Sequence, residues 1–308
     1  MTNLLQELVS PFHLDFLAFL LLFMTSSLKE EALWQACTEG DLPAVKLLLA
    51  DSSVNVNWAD AVFRRTSFYR ACFFGQALVV EHLLGRSQVD VNLAQKDGAT
   101  PVCVACQEGM EDVVGLLLLD NRVELNKFAS DSSSPLWMGA QEGQLRVVQQ
   151  LLASGREIDT AAKSEYDGTT PAQHARIIAS QPKLEHETEV DAVRRADLCS
   201  RIADLIDDYD RDQTKVRADL RGIPGLREHF AAHTFALVVF YCDEFVTLDA
   251  GCPPQVGRFF AVAASLPMDL QMVLCNRLFR SGSNIVSSAH SEAGFRWLAR
   301  PHTWSDRR

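Results

Sequence analysis

The chain has 308 residues, and at roughly 150 residues per domain that length predicts about two domains. A hydrophobic fraction of 47% with 22% charged residues excludes a disordered chain, and 16 glycines with 11 prolines exclude a collagen-like or low-complexity one. The formal charge of −11, from 29 basic against 40 acidic side chains, argues against nucleic acid or an anionic membrane surface as the main ligand, because both need a basic face.

The first segment, 1–26, centres on an apolar stretch from Phe16 to Met24. Nine residues fall far short of the roughly 20 that a bilayer span needs, and Pro11, His13 and Asp15 block an extension upstream. The segment reads as a helix covering the exposed end of the downstream helices. A secretion signal is disfavoured because Glu7 is acidic and no small-x-small cleavage site is present after the stretch. Membrane anchoring is disfavoured with it. A third reading starts translation at Met24, since Ser27-Leu28-Lys29-Glu30 is a capping box at which a helix can begin.

From there the chain repeats. Gly40, Gly75, Gly109 and Gly143 are spaced 35, 34 and 34 apart, and Asn57, Asn92, Asn126 and Thr160 keep those spacings. Small residues precede each glycine: Ala36-Cys37, Ala71-Cys72, Ala105-Cys106 and Gly139-Ala140. Thr100-Pro101, Ser134-Pro135 and Thr170-Pro171 start helices, the hydroxyl capping free N–H groups and proline suiting the first helical position. The glycine ends each first helix in a left-handed conformation. An apolar second helix comes next, such as Val113-Val114-Gly115-Leu116-Leu117-Leu118, and the unit closes on Val-x-Val-Asn or a relative of it.

These motifs resemble the ankyrin repeat, over about residues 27–180. Asp97 to Lys127 fits the pattern best. Trp34, Tyr69, Cys103, Trp137 and Gln173 occupy the slot where that family carries His, so aromatic packing is expected there instead. A fifth unit from Asp167 has Ala179 in place of its glycine and is expected to be a degenerate terminal repeat completed by a displaced helix. The resemblance implies an all-α fold, an ankyrin-type α-solenoid of helix-turn-helix units, occupying 27–185 after the 1–26 segment.

Residues 186–308 read as a helical C-terminal domain. A stripe of Ala192, Val193, Ala196, Leu198, Cys199, Ile202, Ala203, Leu205 and Ile206 predicts one helix. Others are expected around Val216 and Leu220, over 226–245, 256–266 and 268–279 on either side of Pro267, and over 291–300. Gly251 to Pro254 reads as a loop.

Catalytic and metal motifs are not found in the sequence. Cys37, Cys72 and Cys106 share one slot of successive repeats and read as small core residues, and the remaining cysteines form no Cys-x-x-Cys pair. His229 and His233 share a helical face but Phe230 stands where a zinc protease needs Glu. Asp208, Asp210, Asp212 and Asp219 fall in a calcium-loop frame that has Gln213 at the obligatory glycine, so a solvated helix junction is the better reading. No phosphate loop or nucleophile elbow is present. The expectation is therefore no cofactor and no enzyme, with free thiols in a cytoplasmic or nuclear setting.

The ankyrin resemblance implies a protein partner, bound through the turn fingers 58–65, 93–99, 127–133 and 161–168 and the concave first-helix face. The residues that carry it by position are Trp58, Phe63, Arg64, Arg65, Arg70, Phe73, Phe74, Gln107, Glu108, Met138, Gln141 and Glu142; Val104 is on the same face. Phe73 and Phe74 stand where other units have polar pairs, and aromatics beside arginines make a hot spot within an acidic surface. On this reading Phe73→Ala with Phe74→Ala leaves the melting temperature unchanged and loses partners. The competing expectation is that the two rings pack on each other or on the N-terminal segment. Two further readings stay open: a scaffold or ubiquitin-ligase-type adapter whose tail docks a second protein, and an unrecognised enzymatic tail. The sequence leaves the oligomeric state open.

Overall fold

In the computed structural model, residues 26–127, 129, 133–185, 187–243 and 254–279 are described, the side chains of Ser26 and His229 excepted. The apolar segment 16–24, Cys252 and the predicted helix 291–300 lie outside them.

Fourteen helices and no strand are found among the described residues. The first ten are α1 (Ser26–Glu39), α2 (Leu42–Leu48), α3 (Ser67–Phe73), α4 (Ala77–Leu84), α5 (Pro101–Gln107), α6 (Glu111–Leu119), α7 (Pro135–Gln141), α8 (Leu145–Ala153), α9 (Pro171–Ser180) and α10 (Glu189–Arg211). They are followed by α11 (Gln213–Arg221), α12 (Leu226–Cys242), α13 (Pro254–Ala264) and α14 (Met268–Leu278). Helices α1, α3, α5, α7 and α9 stack as an inner layer, and α2, α4, α6 and α8 as an outer one. The chain is an all-α solenoid continued by further helices.

Local chemistry sets the helix ends. Thr66, Thr100, Ser134 and Thr170 each accept from the backbone N–H three residues on, at 3.0–3.4 Å, so Thr66 caps α3 even without a following proline. Ser27 lies inside α1 rather than at its cap, and the Glu30 carboxylate accepts from Asn55 N at 3.1 Å. The four repeat glycines have φ of +68° to +79°, a region costly for other residues.

Three sets of contacts run from unit to unit. The first covers the glycines. Gln76 lies against Gly40 and donates to Thr38 O at 3.0 Å, and Gln144 lies against Gly109 and donates to Gln107 O at 3.1 Å. The second is an asparagine ladder. Asn57 donates to Gln88 O and accepts from Asp90 N, Asn92 does so with Arg122 O and Glu124 N, and Asn126 with Glu157 O and Asp159 N. The third is an arginine on carbonyls at the end of the preceding outer helix and in the turn just after it. Arg122 reaches Leu84 O at 2.7 Å and Arg86 O at 3.1 Å, and Arg156 reaches Asp120 O at 3.0 Å and Val123 O at 2.5 Å. Each set satisfies backbone groups that helix and loop geometry leaves open.

Helices α10 and α11 continue all three. Gly143 is covered by Leu198 and Cys199. Thr160, in the asparagine position, donates to Asp210 at 2.6 Å. Arg217 and Arg221 donate to Arg156 O and Ala153 O at 3.1 and 2.9 Å. The second half of α10 thus fills the place of the fifth unit's missing outer helix. The loop before it is clamped by Arg195, which bonds Ile178 O and pairs with Glu187 at 2.9 Å.

One hydrophobic core therefore runs from Leu33 to Leu226, and the expected limit near 185 falls within it. Cys199, Ile202, Ala203, Ile206 and Tyr209 are buried along α10, whereas Val193, expected in the stripe, is 70% exposed. It precedes the part of the helix that meets the array. A second, smaller core of Ala232, Phe235, Val238, Phe260, Ala263 and Cys275 joins α12 to α13 and α14. Asp208 and Asp210 lie within α10 and Asp212 caps α11, so those carboxylates sit at a helix junction.

Candidate functional site

The finger of the second unit is built around Asp60. Its carboxylate accepts from Val62, Phe63 and Arg65 N–H at 2.7–2.9 Å, and its backbone pairs with Arg64 and Arg65. Burial raises the Asp60 carboxyl, but the N–H groups of Phe63, Arg65 and Val62, with the Arg65 charge, outweigh it and hold the group below its ordinary range. Its contribution to stability is full above a pH of about 4 and is lost as pH falls through the lowered value. Arg64, at the tip, has φ +58°, which costs a non-glycine residue about 1 kcal/mol or more.

This finger stands beside the start of the array. Trp34 of α1 donates its indole N–H to Arg65 O at 3.0 Å. Arg65 donates through Nε to Gln95 of the next finger at 2.7 Å, and its guanidinium stands 4.6 Å from the Phe63 ring and 5.7 Å from those of Tyr69 and Phe73. Arg70 donates through Nε to Thr38 Oγ1 at 3.1 Å. Its guanidinium lies 4.3 Å from Trp34, 4.4 Å from Phe74 and 6.0 Å from Phe73. Such cation–π contacts stabilise by about 0.5–2 kcal/mol each, depending on desolvation. Burial, and then the Arg65 charge, hold Arg70 below its ordinary pKa.

The structure thus brings Phe63, Arg65, Arg70, Phe73 and Phe74 together, and adds Trp34 and Tyr69. Phe63 and Phe74 are 53% and 42% exposed, and Arg64 is exposed beside them. Phe73 and Phe74 meet edge to face with centroids 4.9 Å apart. Phe73 is half-buried against the main core, so the expectation that losing both rings spares the melting temperature is corrected: Phe73→Ala removes core packing. Trp58 is half-buried at the start of the finger, its backbone N–H donating to Asn55 O.

The remaining expected residues lie on the third and fourth units, apart from this cluster. Glu108 and Glu142 are exposed, Gln107, Met138 and Gln141 half-buried, and Gln141 donates to Glu142 at 2.8 Å. No hydrogen bond, ion pair or ring contact among the described residues joins these five to the aromatic–arginine cluster. Val104 is only 2% exposed and leaves the candidate face.

The slot aromatics behave as expected at Trp137, which packs on His174 with centroids 4.2 Å apart. His174 Nδ1 is 2.6 Å from Asp167 Oδ2. Gln173 is exposed and closes a capping box with Thr170. Cys37, Cys72 and Cys106 are fully buried, and burial raises their thiols, to about 12 at Cys37. That suits packing rather than nucleophilic chemistry.

A family model of ankyrin repeats, in three copies, matches residues 68–163. This stretch is an ankyrin array. Helices α1 and α2 continue its packing upstream, and α9 to α11 close it downstream. No curated protein matches the chain. Ankyrin repeats are generally protein–protein interaction modules and typically non-enzymatic. Among the described residues no helix is long and apolar enough to cross a membrane.

Proposed function

We propose that the chain is a non-catalytic, intracellular interaction module that binds a protein partner through the ankyrin fingers and first-helix face. The binding centre in this reading is the aromatic–arginine cluster of the second unit. One observation supports it above others: two guanidiniums are held rigid by aromatic rings while Phe63 and Phe74 stay exposed beside them. Rigid aromatic and arginine anchors of this kind dominate binding energy at protein interfaces. Gln107, Glu108, Met138, Gln141 and Glu142 serve as the rim. The test is proximity labelling with the full chain and with a Phe63→Ala/Phe74→Ala variant. Both rings are about half exposed and outside the core, so the variant is expected to stay folded, with a modest fall in melting temperature from the lost ring–guanidinium contacts, while the wild-type partners are lost. Equal recovery of partners from the variant overturns the reading.

A second reading, the adapter, draws on the separate core of α12 to α14. That unit leaves Val262, Met268 and Leu270 exposed at 54%, 61% and 46%. In this reading the limit near 185 divides recognition from closure and a second docking surface. Met268→Ser with Leu270→Ser in the full chain is then expected to lose a set of partners that the Phe63→Ala/Phe74→Ala variant keeps.

A further inference from the structure

We infer that the aromatic–arginine cluster receives an acidic peptide segment, one that presents two neighbouring carboxylates beside an apolar side chain. The inference rests on the binding reading above and names the partner's chemistry.

Charge makes the first argument. The chain carries 40 acidic side chains against 29 basic ones, and several of its arginines pair with a carboxylate. Arg122 pairs with Asp120, Arg176 with Asp207, Arg195 with Glu187 and Arg201 with Asp197. Arg64, Arg65 and Arg70 enter none of the ion pairs formed among the described residues. The nearest carboxylate on the finger, Asp60, is committed to three backbone N–H groups. Three cations therefore share one unit of an otherwise acidic chain with Asp60 as a carboxylate in their field but with no ion pair of their own among the described residues.

Geometry makes the second. Arg65 and Arg70 are each tethered by Nε alone, to Gln95 and to Thr38. Their faces lie on rings, and both stand within 6.0 Å of the one Phe73 ring. The terminal nitrogens of each make no hydrogen bond with the described residues. A guanidinium held by its face and by Nε offers its end to a carboxylate as a two-pronged donor with little entropy left to lose. Two such groups flanking one ring repel each other, and a pair of carboxylates relieves that repulsion. Phe63 and Phe74, exposed next to them, provide the surface for an apolar side chain of the same segment.

Arg64 makes the third. A positive φ at a fingertip is the place for glycine or asparagine. An arginine held there at φ +58° puts a third, exposed cation on the same finger at a conformational cost.

The test pans a displayed library of random peptides on the full chain and then measures the selected peptides in solution. Peptides whose binding is lost in Phe74→Ala are expected to carry paired Asp or Glu residues next to Phe, Trp or Leu. Their affinity is expected to fall at least about tenfold between low and physiological salt, as screening of exposed charges requires, and by more in Arg65→Gln/Arg70→Gln. The salt series uses the unaltered protein, so it stands even if the arginine variant loses its fold. Phe74-dependent peptides that lack carboxylates, or that bind equally at all salt concentrations, overturn the inference and leave the binding reading intact. A selection that yields no Phe74-dependent peptide overturns both.

Discussion

The joint between the third and fourth ankyrin units and the joint between the fourth unit and helix α10 perform the same tasks with different residues. In the first, Gln144 covers Gly109, Asn126 links loop to loop, and Arg156 caps the preceding outer helix. In the second, Leu198 and Cys199 cover Gly143, Thr160 reaches Asp210, and Arg217 with Arg221 do the capping. The difference shows that the array imposes requirements by geometry rather than by motif. An exposed end of a solenoid leaves an apolar face, a left-handed turn and open carbonyls. Any helix that meets the three can serve as the terminus.

The comparison can be broken most sharply in the core. Ile202→Ala in α10 and Leu151→Ala in α8 are each expected to cost about 2–5 kcal/mol, since both side chains are fully buried in one core. Urea denaturation should show one shifted transition for either. If Ile202→Ala moves only a separate, earlier transition, α10 is an appendage and the two joints are not alike. The glycines sharpen the comparison. Gly109→Ala and Gly143→Ala both suffer the strain of φ +70°, about 1–2 kcal/mol. Gly109→Ala should cost more, because its Cβ would displace the Gln144 amide and its bond to Gln107 O, whereas at Gly143 the nearest atom is Cys199 Sγ at 3.5 Å. Smaller again is the ladder: Asn92→Ala, losing two bonds, is expected to cost about 1–2 kcal/mol and Thr160→Ala, losing one, about half of that. Arg64→Gly, outside both joints, is the control. It should stabilise by about 0.5 kcal/mol, relief of strain less glycine's greater loss of chain entropy, and leave the order of the other variants unchanged.

Much of the array was legible because its rules are local or strictly periodic. The caps at Thr100, Ser134 and Thr170 and the left-handed glycines follow from single residues. Thr66 shows that proline was not needed. The terminus was legible only in part: the absence of a glycine at Ala179 marked the end of the pattern, but the substitutes Leu198, Thr160 with Asp210, and Arg217 lie up to 61 residues from their partners and share no spacing with the repeat. The site divides the same way. Phe63, Arg65, Arg70 and Phe74 stood out as aromatics and cations where other units are polar. Trp34 and Tyr69 did not, because they fill the slot of a family histidine and read as core. The signal was there: positions one period apart are neighbours in a solenoid, which sets Trp34 beside Tyr69 and so beside Arg70. Val104 was misplaced because helical position alone does not separate the concave rim from the seam between helices. Phe73 was misjudged for the same reason, its neighbour Phe74 being the one that faces out.

The asparagine ladder gives the molecule a direction of growth. Each asparagine bonds backbone groups of the next unit's loop, so a duplicated unit of the repeat length inserted between Asn57 and Asn126 would find partners on both sides. After Thr160 the same insertion would leave Asp210, Arg217 and Arg221 facing a segment that already carries its own asparagine and arginine. Lineages descended from this sequence are thus expected to vary in the number of internal units while keeping the junction from Gly143 to Arg221 as a single inherited block, and a survey of unit counts against the integrity of that block would show it.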